Sequence, residues 1–533
     1  MFKELRAEKD SMANDAKKKS DALVDVAIRR SMLIPSAEIY GSPAGFFDYG
    51  PIGCAIKRKI ENLWREEMLV KEGFHEIETS VILPEAVLKA SGHADNFKDP
   101  VVACKKCNSR FRADHLLAEN ESVKKAGVKL EGMPAEKLTE LIRAHKVACP
   151  NDKGEMGEVG YFNMMFKTAI GAGDDRVAYC RPETAQGIFL DFSRIVKNYG
   201  NRLPIGIGQV GRSFRNEISP RQGLVRMREF SQMELEYFFN PSQQTHPKFA
   251  EVSSEKLVFE LEDGSVRELA LAQALSEGIV PNEIMAYFLW KQEKLYLAAG
   301  IPRDKFRFRK IPANDTPHYS RGNIDLVVDT SYGWIETTGT AYRTDYDLSS
   351  HAKHSGADLS VFVEEEKKKV VPHVVEPSMG VDRMFWCVLE HCFHPKSTVI
   401  SEGNGAHSPE ANRAEKDWEW FNFPPAIAPY HAWVFPLMKK DGMDAKACEV
   451  EALLRSAGLS VYCQETGSIG KRYARADEVG VPYCITIDYD TLKDNTVTLR
   501  FRNDGRQVRL KVDELAANIL SFVKQGKVTA GFA

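Results

Sequence analysis

Between Cys54 and Gly73 the segment CAIKRKIENLWREEMLVKEG sets Ile56, Ile60, Leu63, Trp64 and Met68 on one face, a spacing that predicts a helix stopped at Gly73. FHEIETSVILP (74–84) reads as a strand closed by Pro84. Over about 101–160 the pattern changes. Two cysteine-bearing ends, VVACKKCNSRFRADHL and HKVACPNDKGEMGEVGYF, flank a charged helical stretch at about 117–146, which predicts an insertion. A second insertion is expected over about 240–310, with helix-like ELALAQALSEG and NEIMAYFLWKQEKLYLAAG. Beyond residue 430 the strand-like runs HAWVFPLM, LSVYCQE, PYCITID and TVTLRFR are interleaved with helical AKACEVEALLRSAG and SIGKRYARADEVG. That alternation predicts a separate, mostly parallel α/β domain. The expected division is a flexible extension over 1–21, a main domain over 22–425 carrying both insertions, and the α/β domain over 426–533.

Composition narrows the classes. A chain of 533 residues is too long for one core. Its 43% hydrophobic and 28% charged residues are ordinary for globular proteins. No run approaches the ~18 apolar residues of a membrane span. The N-terminus lacks the apolar run of a signal peptide and carries too many acids for a transit peptide. The ten cysteines are scattered, which argues against a disulfide framework. Together these predict a cytoplasmic protein with no membrane partner. With a net charge of −3, any nucleic acid would have to meet local basic patches.

Residues 212–236, RSFRNEISPRQGLVRMREFSQMELE, interleave arginines and glutamates with apolar residues. SFRNEI reads as a strand, SPRQG as a turn and RMREFSQMELEYFF as the returning strand. Side chains alternate faces along a strand. Arg215 is thus expected to project with Glu217, Arg226 with Arg228, and Glu234 with Glu236, while Met233, Leu235 and Tyr237 enter a core. A solvated, salt-bridged exterior fits this pattern alone equally well. Three other segments shift the balance: RPETAQGIF with Arg181, Glu183 and Gln186; GWIETTGTAYRTDYDLSSH with Glu336 and Arg343; and EPSMGVDRMFW with Glu376, Ser378, Gly380 and Arg383. An arginine in the first turn of a helix makes an anion site. Arginines from separate segments can clamp a polyphosphate, and acids beside them can hold magnesium or a cationic group.

In order along the chain, these segments resemble a known family. FRNE followed by REF resembles motif 2 of the class II aminoacyl-tRNA synthetases, EPSMGVDR resembles motif 3, and the helix, strand and Pro84 resemble motif 1. With RPETAQG, MELEYF, GWIE and YDLSSH, the set is similar to glycyl-tRNA synthetase of the homodimeric type, from about Ser31 to the C-terminus. The resemblance implies an α+β catalytic domain, an antiparallel sheet flanked by helices that dimerises through motif 1. A C-terminal α/β anticodon-binding domain would follow. It implies ATP-dependent ligation of glycine to tRNA(Gly) through a glycyl-adenylate, with Mg2+. By position, Arg215 matches the arginine on the α-phosphate, Glu217 and Arg226 the residues holding adenine and a bent triphosphate, and Phe230 the ring stacked on adenine. Arg383 matches the arginine at the γ-phosphate, and Glu336 a nucleotide-side, magnesium-linked carboxylate. Asn216, Met227, Arg228, Glu229 and Thr337 complete the implied ATP set, and Arg215, Glu217 and Arg383 carry the implied catalysis. Glu183, Glu234, Glu376 and Ser378 match glycine-contacting residues, with Ser231 and Pro377 beside them. Acids crowded around one ammonium are expected to have some raised pKa values in the empty site.

Cys104-x-x-Cys107 with Cys149 suggests a zinc knuckle, but Asp152 stands where a fourth cysteine is expected. A Cys3Asp site, completion by His115 or His145, and a lost metal site all remain open at this level. For tRNA, Lys471, Arg472, Arg475, Arg500, Arg502, Arg506 and Arg509 form a candidate phosphate-contacting group. The competing class is a non-catalytic, nucleic-acid-binding accessory subunit of the same fold. Retention of Arg215, Glu217 and Arg383 together argues against it.

Overall fold

The computed structural model describes residues 19–528 except 131, 173–175, 219, 221, 314, 315, 317, 318 and 397–415. Most of the expected N-terminal extension (1–18), and Ser219 and Arg221 of the expected turn, therefore lie outside the described residues.

The first long helix, α1 (Pro51–Trp64), begins with proline at its first position, where a missing N–H costs nothing. It buries Ile56, Ile60 and Trp64, then widens into a π turn (Arg65–Leu69) and tightens into a 3-10 turn that ends at Gly73, φ 71°. The expected strand over 74–84 is instead two short pieces, β1 (His75–Glu76) and an unconnected strand Ile82–Pro84 in a different sheet. Between them side chains take over the backbone's partners. The Thr79 N–H donates to Gln209 Oε1 at 2.7 Å, and Arg181 Nη1 donates to the Thr79 carbonyl at 3.0 Å.

The centre of the molecule is a nine-stranded sheet. Its strands are β1, β2 (Ile205–Phe214), β3 (Glu229–Phe239), β4 (Lys256–Glu260), β5 (Val266–Ala270), β6 (Phe306–Lys310), β7 (Asn323–Thr330), β8 (Gly333–Thr344) and β9 (His373–Gly380), in the order β5-β4-β6-β7-β8-β9-β3-β2-β1. It is antiparallel except for the pairs β1·β2 and β4·β6, so the sheet is mixed at its flanks. The stretch expected as a second insertion does not stand apart: β4, β5 and β6 form one edge of this sheet. One face packs Met233, Leu235 and Tyr237 with α1, α3 (Glu283–Ala298) and α5 (Val381–Cys392) in the largest core. The other face packs Ile205, Ile207 and Phe238 against α2 (Ala185–Asn198) and, through Leu348, α4 (Tyr346–Ser355).

The cysteine-bearing segment forms its own three-stranded sheet (Lys98–Cys104, Arg110–Arg112, Met156–Asn163) over a small core including Leu117, Leu138 and Ile142. The expected single helical stretch is three helices there, Ala113–Ala118, Glu121–Ala126 and Ala135–Ala144. Near the C-terminus, β10 (Ala432–Pro436), β11 (Val461–Cys463), β12 (Tyr483–Ile487), β13 (Thr496–Phe501) and β14 (Gln507–Lys511) form a five-stranded sheet in the order β11-β10-β12-β13-β14. Its first three strands are parallel and the other two antiparallel. Helices Met443–Ser456 and Val512–Lys524 pack on it. Among the described residues no helix is long and apolar enough to cross a membrane.

Candidate active site

The pairing of β2 with β3 runs from Ile205 opposite Phe238 to Phe214 opposite Glu229 and stops there. Arg215, Glu217, Arg226 and Arg228 thus lie beyond the strands, in the connecting loop, which corrects the expectation that strand alternation sets their directions. One more rung, Arg215 N–H to the Arg228 carbonyl at 2.9 Å, closes the base of the loop. The Arg215 guanidinium sits 5.4 Å from the ring centroids of both Phe97 and Phe230, and its Nε donates to the Pro182 carbonyl. Glu217 faces Arg226 at 3.8 Å. Arg228 turns away: it donates to the backbone carbonyls of Glu217 and Ala44 and staples the loop.

Above the strand pair lies a cavity of about 560 Å³. Arg215, Glu217, Arg226, Met227, Phe230, Ser231, Glu183, Glu234, Glu336, Thr337, Glu376, Ser378 and Arg383 all line it. Asn216, Arg228, Glu229 and Pro377 do not. Asn216 is held by its N–H to the Met164 carbonyl, Glu229 pairs outside with Arg212 at 3.0 Å, and Pro377 sits in β9 between the two residues that do reach the cavity. Arg383 enters from the first turn of α5; its Nε donates to the Val225 carbonyl at 3.0 Å and its Nη1 to the Glu336 carbonyl at 2.7 Å. The neighbouring Asp382 is buried, accepts from the Ser231 N–H at 2.5 Å and from the Tyr49 hydroxyl, and so ties α5 to β3.

The floor of the cavity is acidic. Glu234 accepts from the Thr184 N–H (2.9 Å), Gln232 (2.9 Å) and Ser378 (2.6 Å), and from the Thr184 hydroxyl. Glu376 accepts from Arg343 Nη1 at 2.9 Å. Arg343 is buried, holds Asp347 by two bonds at 2.7 and 2.9 Å, lies 4.0 Å from Glu183 and stacks 4.2 Å from the Tyr319 ring centroid. Glu183 also accepts from Gln186 at 2.8 Å and approaches His93 at 3.3 Å. Burial works to raise the Glu183 carboxyl, but His93, Arg343 and Gln186 outweigh it and hold it well below the usual range. Burial and the Glu183 charge raise Glu234. Burial, opposed by Arg343 and reinforced by Glu234 and Glu183, pushes Glu376 up to about 8.

Sequence reasoning singled out Arg343 but gave it no role, although it organises three of the acids. It missed Asp325 altogether. A Cβ on Gly339 would lie 3.7 Å from both the Asp325 and Glu336 carboxylates, so these two acids face each other across a bare backbone. Burial and then the Glu336 charge push Asp325 up to about 8. The only trace in the sequence is the first of two acids in the run NIDLVVD, at a position facing the cavity.

The sulfurs of Cys104, Cys107 and Cys149 and a carboxylate oxygen of Asp152 lie within 4.8 Å of one another. Neither histidine joins them: His145 pairs with Ser122 at 2.8 Å, and His115 lines a separate cavity beside Ile218 and Arg226. In the C-terminal domain three of the expected phosphate-contacting residues are buried. Arg472 donates to the carbonyls of Pro436, Gln464 and Leu437, Arg500 makes two bonds to Asp477, and Arg502 donates to the carbonyls of Gly480 and Phe423. Lys471 and Arg506 are exposed, and Arg509 is tied to Asp488.

Comparison with known proteins bears on the whole chain. The tRNA synthetase class II core domain (G, H, P, S and T) matches residues 166–392, and the anticodon binding domain matches 431–522. The chain is 40% identical to the glycine–tRNA ligase of Methanocaldococcus jannaschii, over 95% of this chain and 99% of that one. It is equally identical, with the same coverage, to that of Thermococcus sibiricus. Among solved structures, a prolyl-tRNA synthetase from Cryptosporidium parvum shares the fold at a TM-score of 0.54 and 12% identity, covering 95% of this chain and 77% of that one.

Proposed function

The chain belongs to the glycine–tRNA ligases, class II synthetases that join glycine to tRNA with ATP, and from that premise we propose how its cavity divides the work. The glycine carboxylate attacks the α-phosphorus, a P–O bond forms, and pyrophosphate leaves with the electrons of the bond that breaks. The tRNA 3′-terminal hydroxyl then attacks the glycyl carbonyl and AMP leaves. The first step needs no general base, because the carboxylate is already ionised, so positioning and electrostatics carry it.

Arg215, from the loop after β2, and Arg383, from the first turn of α5, both line the one cavity, and this single observation carries the nucleotide reading. Arg215 meets the α-phosphate, where charge develops, and Arg383 the far end of the triphosphate. Phe230, under Arg215, offers a stacking face for adenine, with Glu217, Arg226, Met227 and Thr337 around it. Glu336 and Asp325 are the acids that would hold Mg2+, whose charge offsets that of the phosphates. Glu183, Glu234, Glu376 and Ser378 take the glycine ammonium through charge-assisted bonds. Selection against larger amino acids must then be steric, with walls closing where a side chain would sit.

The zinc reading is supported by geometry. Cys107 Sγ lies 3.7 Å from Cys149 Sγ, and Cys104 Sγ 3.4 Å from Asp152 Oδ1. Tetrahedral Zn–S bonds of about 2.3 Å place sulfurs roughly 3.8 Å apart. The four groups would hold the ion as a closed structural site. We also propose that the enzyme is cytoplasmic, acts on tRNA(Gly) and works as a homodimer. Ile39 and Tyr40, 89% and 85% exposed just before α1, suit burial against a second copy.

Amino-acid-dependent ATP–pyrophosphate exchange tests the division. Exchange is expected with glycine alone among the twenty amino acids, and Arg215→Ala should lower its kcat by about 10²–10³-fold. Full exchange in the variant would remove Arg215 from the chemistry.

A further inference from the structure

We propose that Glu236 is a positioning residue of the amino-acid pocket, held as a neutral acid whose proton fixes Glu376. The proposal rests on the reading of Glu376 as an ammonium-binding group.

Glu236 lies on β3 two residues from Glu234, so the two share a face. The register that pairs Glu234 with Ser378 and Tyr237 with Val375 puts Glu236 opposite Glu376, a separation of about 5 Å between Cβ atoms. On its other side Glu236 pairs with Ile207 of β2, and Phe238 follows it on the same face against Phe189 and Phe192 of α2. It is fully buried, and neither carboxyl oxygen has a hydrogen-bond partner among the described residues. Glu234 differs, because four donors converge on it. The charged groups that act on Glu236 are Glu376 on β9, Arg343 on β8 (the one cation in this set), Glu234 on its own strand and Asp347 on α4. Arg343 is already committed to Asp347 and Glu376.

An ionised carboxylate without donors, fully buried opposite a second carboxylate, would be prohibitively costly. Burial and the Glu376 charge accordingly raise Glu236 well above the ordinary carboxyl range. As a neutral acid it carries one O–H. Glu376 commits Oε2 to Arg343, which leaves its Oε1 open to a further donor. The Glu236 O–H can supply that donor and hold the Glu376 carboxylate in place for the ammonium.

Glu236→Gln keeps a donor and no charge; Glu236→Leu keeps only the volume. Gln should therefore preserve the glycine KM. Leu should raise it with little change in kcat and move the KM–pH profile to higher pH, because Glu376 loses a donor that favours its charged form. Stability supplies a second readout. A buried acid with a raised folded-state pKa loses stability as pH rises above its unfolded value. The ratio of the wild-type to the Gln-variant unfolding constant should then grow about tenfold per pH unit from about pH 5 upward. A flat ratio, a Gln variant that fails to fold, or a Gln variant as impaired in glycine KM as Leu would overturn the proposal. If Leu does not fold, the stability ratio decides alone. Glu376→Gln separates the underlying reading: an unchanged glycine KM there would sink Glu376 as an ammonium ligand, whatever Glu236 does.

Discussion

At the scale of single residues the pocket is governed by one cation. Arg343, itself buried at the floor of the cavity, holds Asp347, Glu376 and, more distantly, Glu183. Removing one partner of such a group leaves uncompensated buried charge, so Arg343→Met should cost about 3–5 kcal/mol in denaturant unfolding. It should also raise the glycine KM, since Glu376 loses its anchor. Proton linkage follows from the same acids. Glu376, at about 8, is largely protonated near neutral pH when the site is empty, and burial and the Glu183 charge raise Glu234 in the same direction. An ammonium between them favours the charged forms, so glycine binding should release protons at pH 7, less as pH rises past the Glu376 value. Calorimetric titration in buffers of different ionisation enthalpy measures this directly, and identical enthalpies in all of them would contradict it. The positions of Glu234, Glu376, Arg215 and Arg383 were legible because short motifs fix them. Asp325 was not: it is one of two acids in the strand NIDLVVDT, and only the folded sheet shows what it faces. Glu236 was read as sharing a face with Glu234, but its place opposite Glu376 comes only from the register across the sheet.

At the scale of elements, legibility depended on whether a segment's own pattern decides its structure. The helix from Pro51 and the strand–helix alternation of the C-terminal domain are local patterns and are present as read, although the C-terminal sheet gains a fifth strand and is antiparallel in two of its four pairings rather than mostly parallel. The strand over 74–84 fails because side chains distant in sequence, Gln209 and Arg181, take its backbone partners. The stretch 240–310 looked separate because its helices dominate the hydrophobic signal, while β4, β5 and β6 are too short to announce that they extend the main sheet. The cysteine module is the element with a testable dependence of its own. Its core is small, and Gly154 leaves room for the cluster: a Cβ there would lie 2.8 Å from Cys104 Sγ. Metal-bound closure should contribute folding energy to residues 98–163 specifically. Elemental analysis should find about one zinc per chain. Prolonged chelation should speed amide hydrogen exchange in that segment while leaving the nine-stranded sheet protected. Zinc-free protein with an equally protected module would remove the site.

At the scale of the whole molecule, the question is how a chain of net charge −3 holds a polyanion. Of the C-terminal basic residues read from sequence, three are buried, Lys471 and Arg506 are exposed, and Arg475 and Arg509 are bonded to the Thr466 carbonyl and to Asp488 respectively. Arg472, Arg500 and Arg502 are structural. Arg502 bonds to carbonyls of Gly480 and Phe423 and, with Lys416 bound to Asp477 and to the Arg502 carbonyl, fastens the C-terminal sheet to the chain that leads into it. The N-terminal part is clamped to the same region, where Glu478 accepts from Arg29 and Arg30. Lys471 and Arg506 remain exposed and able to meet phosphate. The two groups should separate experimentally. Lys471→Ala or Arg506→Ala should weaken tRNA binding and reduce the slope of log K against log salt by about one for each phosphate that the side chain neutralised, with unfolding unchanged. Arg502→Met should leave that slope intact and destabilise the protein instead, because carbonyls it satisfied become buried without partners. Measuring binding over a salt series beside thermal unfolding for all three variants tests the partition. A reduced slope for Arg502→Met would show that its guanidinium reaches the nucleic acid after all, and that the C-terminal domain rearranges when tRNA binds.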